Sequence, residues 1–116
     1  MDTSSQRRTF TLDDARQLLP AVKEMTAEAV GRAEVLSAQL DGLPESDPEH
    51  ERLADELDQV VATWARRVRA LDVEVKGLWL VDFDNGHGYY CWSYPEEAVS
   101  HYHSYEDGFA GRMKIV

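Results

Sequence analysis

Histidines and acidic residues are concentrated near the C-terminus, in the stretch "SHYHSYEDGFAGRMKIV". His101 and His103 lie two positions apart, so on a β-strand both imidazoles point to the same face of the sheet. Imidazole and carboxylate groups are common ligands of divalent transition metals. We therefore expect a candidate metal site that contains His101, His103 and Glu106. The acids that could complete its coordination shell are Asp107, Asp82 and Asp84.

Arg112 is the residue in this stretch whose planar guanidinium matches a carboxylate through two hydrogen bonds. We expect it to pair inside the chain with Asp82 or Glu106, and a carboxylate of a bound ligand is the alternative partner. The candidate ligand-binding residues are therefore Asp82, His103, Glu106 and Arg112. The opposing interpretation is a closing turn with solvated or structural histidines, because the glycines of "GFAGR" favour a tight turn and no Walker lysine is present.

No nucleophile is indicated, so the sequence assigns no catalytic residue. Ser100 and Ser104 lie near the histidines, but their spacing fits no Ser–His–Asp arrangement. Cys91 is the only cysteine, from which we expect neither an internal disulfide nor a thiolate-based zinc site within one chain. Its apolar surroundings in "YYCWSY" favour a buried, inert thiol. A non-enzymatic role is the favoured prediction.

Residues 10–41 carry the pattern of a long α-helix. Thr11 is a favourable N-cap, and Asp13 and Asp14 place negative charge in the first turn. Pro20 removes one backbone donor inside the pattern, so we expect a kink there or a separate short first helix. Apolar or small residues recur at intervals of three and four, which is typical of a helix that packs lengthwise on another. These residues are Leu12, Ala15, Leu19, Val22, Thr26, Ala29, Ala33, Leu36 and Leu40.

A second helix is predicted over residues 47–71, after the connection "GLPESDPEH". Asp47 can cap this helix, and Pro48 suits its first position. Because the connection is short, we expect a long antiparallel helical hairpin in which Trp64 lies opposite residues 26–29. Each helix could reach about 35 Å at about 1.5 Å per residue, which is more than a small sheet can cover. We therefore expect part of the apolar stripe to contact a second copy, giving a homodimer through the helices.

After the second helix, β-branched and aromatic side chains replace the helical period and favour strands. The turn signal "DNGHG" separates the first two of them. The strands expected are about 78–83, 89–94 and 99–104. Residues 78–104 are thus predicted to form a three-stranded antiparallel β-meander packed on the helices, with 105–116 as a closing turn and tail. The whole chain, residues 1–116, is predicted to be a single α+β domain.

Composition and charge limit the kinds of partner. The chain of 116 residues carries 22 acidic and 12 basic side chains, a formal net charge of −10. Phosphate binding needs a basic surface, so we expect no nucleic-acid partner. No run approaches the roughly 18 apolar residues of a membrane span, and the start "MDTSSQRRTF" has no apolar stretch typical of a secretory signal. We therefore expect a cytoplasmic protein without a membrane partner.

Four stretches resemble a family of small bacterial proteins catalogued as domain of unknown function 2203: "FTLDDARQLLP", "GLWLVDF", "CW" and the closing pattern "H-x-x-E-x-GFAGR". The resemblance covers nearly the whole chain. The positions that match the closing motif are His103, Glu106, Gly108, Phe109, Gly111 and Arg112, and those that match the strand motifs are Asp82, Cys91 and Trp92. The chain departs from the family pattern at Tyr102, where Trp is frequent, and at Met113 and Lys114, where Gln-Pro is frequent. The resemblance implies a family, and it implies no activity, cofactor or partner.

Two functional hypotheses follow for this uncharacterised protein. The first is a non-enzymatic interaction or scaffold module that self-associates, because the helical seam and the aromatic side chains of the sheet exceed what one copy can bury. The second is a protein that binds a divalent metal or a small ligand through the His/Glu/Arg cluster at the C-terminal turn, either without catalysis or as an enzyme.

Overall fold

The computed structural model of the protein describes residues 8–116. Within that range the chain forms two α-helices followed by an antiparallel sheet of five strands, which confirms the α+β class. Residues 1–7 lie outside the described residues. They belong to the predicted domain 1–116 and to the segment "MDTSSQRRTF", in which we expected no secretory signal. The elements are α1 (Leu12–Asp41), α2 (Pro48–Arg69), β1 (Glu74–Gly77), β2 (Leu80–Asp84), β3 (Gly88–Ser93), β4 (His101–Ser104) and β5 (Met113–Lys114).

The helix α1 begins at a capping box. The Thr11 side chain accepts a hydrogen bond from the Asp14 backbone at 3.0 Å, and the Asp14 carboxylate accepts one from the Thr11 backbone at 3.0 Å. Pro20 lies inside the helix and does not end it, so no separate first helix forms, and the kink stays a prediction. In the described part of the chain, neither α1 nor α2 is long and apolar enough to cross a membrane.

A buried hydrogen bond joins α1 to α2 at the level predicted for Trp64. The Trp64 indole Nε1 donates to Thr26 Oγ1 at 2.8 Å, and that hydroxyl donates to the Val22 carbonyl at 2.7 Å. Thr26 has no exposed surface and Trp64 is 2% exposed. Every polar atom of this contact therefore has a partner, which is the condition for burying it at low cost.

The predicted three-stranded meander is wrong in its number of strands, because the described residues form five. The run "VEVKGLWLVDF" is divided by a turn at Leu78 and Trp79, and Trp79 adopts a positive φ of 59°. A bulky residue rarely adopts this conformation, so the pattern gave no turn signal there. The second additional strand is β5, which lies in the segment expected to be only a tail and pairs with β4.

The two faces of the sheet have different neighbours. One face packs against the helices in the main hydrophobic core. The core residues from the sheet include Val81, Phe83 and Trp92, and those from the helices include Val22, Trp64 and Val68. Asp82 alternates with Val81 and Phe83 along β2, and Cys91 precedes Trp92 on β3, so both point to the opposite face. The side chains of Asp82 and Cys91 are therefore separated from the helical core by the sheet itself.

The Trp64–Thr26 contact predicts a specific loss of stability on removal of one hydroxyl. Thr26→Val keeps the shape of the side chain but leaves the buried indole N–H without an acceptor. We expect the free energy of unfolding, measured by urea titration, to fall by about 2 kcal/mol. Thr63→Val is the matched control, since its hydroxyl is exposed and its loss should cost less than about 0.5 kcal/mol. Equal losses in both variants would contradict the role given to this contact.

Candidate functional site

A cleft of about 330 Å³ lies on the face of the sheet opposite the helices. Its lining comes from β1 to β4 and from residues 105–109, which follow β4. The Tyr105 hydroxyl donates to Asp84 Oδ1 at 2.6 Å, and its ring meets the Tyr89 ring edge-on at 5.1 Å between centroids. These contacts hold the C-terminal segment over the polar face, so groups beneath it lose contact with bulk water.

A histidine–aspartate pair lies at the floor of this cleft. His103 Nε2 lies 2.9 Å from Asp82 Oδ2, and the two residues are only 5% and 2% exposed. His103 Nδ1 lies 2.7 Å from the Ser104 carbonyl oxygen, which can only accept, so Nδ1 carries a proton and donates. Nε2 is therefore the ring nitrogen directed at the carboxylate, and one proton is shared between them.

The Asp82 carboxylate has an unusual environment. Burial raises the pKa of Asp82 above its ordinary value, although neighbouring His103, Cys91 and Lys76 oppose that rise. Among residues 8–116 its Oδ1 atom is buried and has no hydrogen-bond partner. The Cys91 thiol acts on this carboxyl group as a weak hydrogen-bond donor that lowers its pKa, but Oδ1 itself has no partner within hydrogen-bond distance among the described residues. Such an atom calls for an explanation, such as a bound ion.

Cys91 adjoins the pair from the neighbouring strand. It is 1% exposed and stands opposite Asp82 in the register of β2 with β3. Burial, together with the adjacent Asp82 charge, raises the pKa of the Cys91 thiol to about 12, although Arg112 opposes the rise. Candidate ligand atoms of Asp82, Cys91 and His103 all lie within 4.8 Å of one another. They form the one such His/Cys/Asp/Glu group among the described residues.

The close pairing of β3 with β4 determines the position of His103. His103 stands opposite Tyr89, one residue from the start of β3 at Gly88. A Cβ at Gly88 would lie 2.5 Å from the His103 carbonyl oxygen, so only glycine allows β3 and β4 to approach this closely. The absence of a side chain at Gly88 thus helps to position His103.

Arg112 pairs with a carboxylate that the sequence analysis did not consider. Its guanidinium donates to Glu96 Oε2 at 2.7 Å and Oε1 at 3.0 Å, rather than to Asp82 or Glu106. The Ser93 backbone N–H donates to the same carboxylate at 2.8 Å. Burial opposes ionisation, but the bonds from Arg112 and Ser93 hold the pKa of Glu96 below its ordinary value. Arg112 therefore pairs inside the chain, but the expected partners Asp82 and Glu106 are wrong, because Glu96 is its partner.

The structure separates the predicted metal ligands from one another. His101 points to the same face as His103, but its Nδ1 lies 3.7 Å from Glu96 Oε2, outside the Asp82–Cys91–His103 group. Glu106 lines the cleft and is exposed. Of the proposed ligands His101, His103 and Glu106, only His103 therefore belongs to the buried group.

Sequence reasoning missed Cys91 as a member of the buried group and Glu96 as the partner of Arg112. A lone cysteine gave no metal-binding spacing, and its position opposite Asp82 depends on a hairpin register that the turn residues alone do not define. Glu96 meets Arg112 because β5 returns along β4, and that strand was not predicted.

Residues 8–115 match the family described as an uncharacterized conserved protein, DUF2203. This match covers nearly the whole chain, so the chain belongs to that family and the resemblance carried by its motifs is confirmed. No curated protein and no solved structure matches the chain. The family description names no activity, so the function has to be inferred from the site.

The Glu96–Arg112 pair predicts a pH-dependent contribution to stability. Because the pKa of Glu96 is lower when folded than its ordinary value of about 4.5, its contribution is present above that pH and is lost as the pH falls below it. We expect Glu96→Gln to lower the free energy of unfolding by about 2 kcal/mol at pH 7, with a smaller loss below pH 4.5. Glu97→Gln, with a side chain 96% exposed, is the control. A loss in Glu96→Gln that does not change with pH would contradict the assignment.

Proposed function

We propose that the protein binds a divalent metal cation at the floor of the C-terminal cleft, with Asp82 and His103 as ligands. The observation that carries the proposal is the buried carboxylate of Asp82, whose Oδ1 has no hydrogen-bond partner among residues 8–116. A cation bound by this carboxylate and by His103 Nε2 would give Oδ1 a partner and would replace the present hydrogen bond between Nε2 and Oδ2.

The charges of the cleft favour a cation over an anion. Its acidic lining residues are Asp82, Glu106 and Asp107, and its basic residue is Lys76. Lys76 is already engaged, because its ammonium group lies 3.1 Å from Glu74 Oε1 and 3.4 Å from the Tyr89 hydroxyl. A ligand that enters the cleft therefore meets mainly negative charge, which attracts metal ions and repels phosphates or carboxylates.

The orientation of His103 supports a ligand role. Metal-binding histidines usually donate the other ring N–H to a carbonyl or carboxylate, which fixes the tautomer and directs the remaining nitrogen at the metal. His103 Nδ1 makes this bond to the Ser104 carbonyl at 2.7 Å and leaves Nε2 directed at Asp82. On binding, the cation would replace the proton that Nε2 and the carboxylate share.

Stability alone is a weak reason to keep this pair buried. A buried ion pair often contributes no more than apolar residues of the same volume, because desolvation offsets the attraction between the charges. The pair also lies on the face of the sheet away from the helical core. A binding role accounts for the burial of Asp82 and His103 in this place.

Isothermal calorimetry with Zn²⁺ and Mn²⁺ tests the proposal on untagged, chelator-treated protein. We expect one site per chain, and His103→Gln should weaken binding more than 100-fold, beyond the roughly 10–100-fold cost of losing an outer-shell partner. His101→Gln is the matched control, since it removes an imidazole two residues away on the same strand and should leave the affinity within about threefold.

Wild-type protein that binds neither ion would overturn the proposal without any variant. If His103→Gln fails to fold by circular dichroism, Asp82→Asn provides the second test, because it keeps the shape of the side chain and removes its charge. Equal weakening by His101→Gln and by the Asp82 or His103 variant would also count against the site.

We also propose, as a second function, that the protein self-associates as a homodimer through its helical hairpin. The supporting observation is a groove of about 330 Å³ between α1 and α2. Its apolar lining residues are Met25, Ala29, Val60 and Trp64, and its charged residues are Glu28, Arg32, Glu56 and Arg67. The charged residues pair within the chain, Arg32 with Glu56 at 3.0 Å and Arg67 with Glu28 at 3.7 Å, so the groove presents its apolar residues and no unpaired charge among these four to a second copy.

Sedimentation velocity over a range of protein concentrations tests self-association. We expect a dimer whose dissociation constant rises at least tenfold in Val60→Asp, because the half-buried Val60 lines the groove. Val35→Asp is the matched control, since Val35 is 60% exposed on α1 and does not line the groove. A monomer at all concentrations, or equal effects of both substitutions, would exclude the helical interface.

A further inference from the structure

We propose that Cys91 is the third protein ligand, so that the site is a thiolate-containing transition-metal centre made of Asp82, Cys91 and His103, with a fourth position open to the cleft. This inference rests on the proposed function and names the class of cation that the site selects. It assigns a chemical role to the one cysteine of the chain.

The separations within the group suit a single metal ion. A tetrahedral zinc site has metal–ligand bonds of about 2.0–2.3 Å, which places its ligand atoms roughly 3.3–3.7 Å apart. Candidate ligand atoms of Asp82, Cys91 and His103 all lie within 4.8 Å of one another, and His103 Nε2 is 2.9 Å from Asp82 Oδ2. Side-chain movements of about an ångström therefore convert the observed arrangement into a coordination shell.

The backbone that carries these ligands is regularly paired. Asp82, Cys91 and His103 lie on three adjacent strands, and Cys91 stands directly opposite Asp82 in the β2–β3 register. Ligands on paired strands are held more accurately than ligands on loops, which lowers the cost of ordering them when a metal binds.

The second independent observation is the Asp82 Oδ1 atom, which is buried in the same group and has no hydrogen-bond partner among the described residues. The Cys91 thiol interacts with the same carboxyl group, but Oδ1 itself has no partner within hydrogen-bond distance among the described residues. A metal ion held jointly by the carboxylate and the thiolate would satisfy both. The unpaired oxygen and the buried thiol then have one explanation.

Coordination itself provides the thiolate. The Cys91 side chain is 1% exposed and adjoins the Asp82 carboxyl group. A coordinating metal deprotonates a thiol outright: the S–H bond breaks, the sulfur–metal bond forms and the proton leaves to the solvent. The nearby guanidinium of Arg112 favours this change, because it stabilises negative charge on sulfur.

The donor set selects the class of metal. Thiolate and imidazole prefer borderline and soft transition ions such as Zn²⁺ and Co²⁺, whereas Mg²⁺ and Ca²⁺ prefer shells made of oxygen. Three protein ligands and an open fourth position are characteristic of zinc sites that bind water or a further ligand. The fourth position here faces the cleft, where Glu106 and Asp107 lie.

Titration of the untagged protein with Co²⁺, followed by absorption spectroscopy, tests this inference. Bound cobalt gives visible d–d bands, and a cobalt–thiolate bond adds a near-ultraviolet charge-transfer band. Because Cys91 is the only cysteine, no other thiol of the chain can produce that band. We expect both signals to saturate at one cobalt per chain. In Cys91→Ser the charge-transfer band should disappear, and in the His101→Gln control both signals should remain.

The same titration separates failure of the inference from failure of the proposed function. Visible bands that saturate without a charge-transfer band would overturn the role of Cys91 and leave metal binding by Asp82 and His103 intact. No spectral change at all would overturn both. A charge-transfer band that saturates at one cobalt per two chains would place Cys91 in a site shared between copies and contradict the single-chain centre. The wild-type result decides these cases even if Cys91→Ser does not fold.

Discussion

Successive side chains of a β-strand point to opposite faces, and this alternation organises the whole molecule. On β2, Val81 and Phe83 enter the helical core while Asp82 points to the other face. On β3, Trp92 enters the core while Cys91 joins Asp82. The sheet thus separates an apolar layer from a polar one. A one-residue slip in the pairing of β2 with β3 would move the carboxylate into the core and disperse the site.

The two layers have complementary roles in the energetics of the fold. The helical side contributes the large buried side chains, and its internal polar groups, such as Trp64 Nε1 and Thr26 Oγ1, are paired. The opposite side buries ionisable groups, including Asp82, whose pKa is raised by burial. Burying such groups contributes little to stability unless a ligand compensates for their desolvation. The stability of the helical layer allows the sheet to keep a costly polar site on its other face.

Much of the fold could be predicted from local signals. The Thr11–Asp14 capping box and the Asp47–Pro48 start mark the helices, which begin and end within two residues of the predicted limits. Two strands were missed for physical reasons. Trp79 occupies a turn position with positive φ that bulky residues rarely adopt, and β5 has only two residues. The number of strands in the sheet was therefore underestimated.

The site could be predicted only in part, because it depends on contacts between distant residues. His103 and Asp82 were chosen for their residue types, and their contact depends on the relative positions of β2, β3 and β4. Arg112 was expected to hold a carboxylate, but its partner Glu96 follows from the unpredicted pairing of β5 with β4. Cys91 was interpreted as an inert thiol because one cysteine has no spacing to interpret. The register of the paired strands, rather than the composition of the sequence, determines which of these residues are in contact.

The central claim is that the floor of the cleft holds a metal ion, and elemental analysis tests it most directly. Untagged protein is incubated with Zn²⁺, passed over a desalting column and analysed for zinc and sulfur by plasma emission. The account predicts one zinc per chain that survives desalting. Protein that leaves the column without zinc, in a correctly folded state, would contradict it.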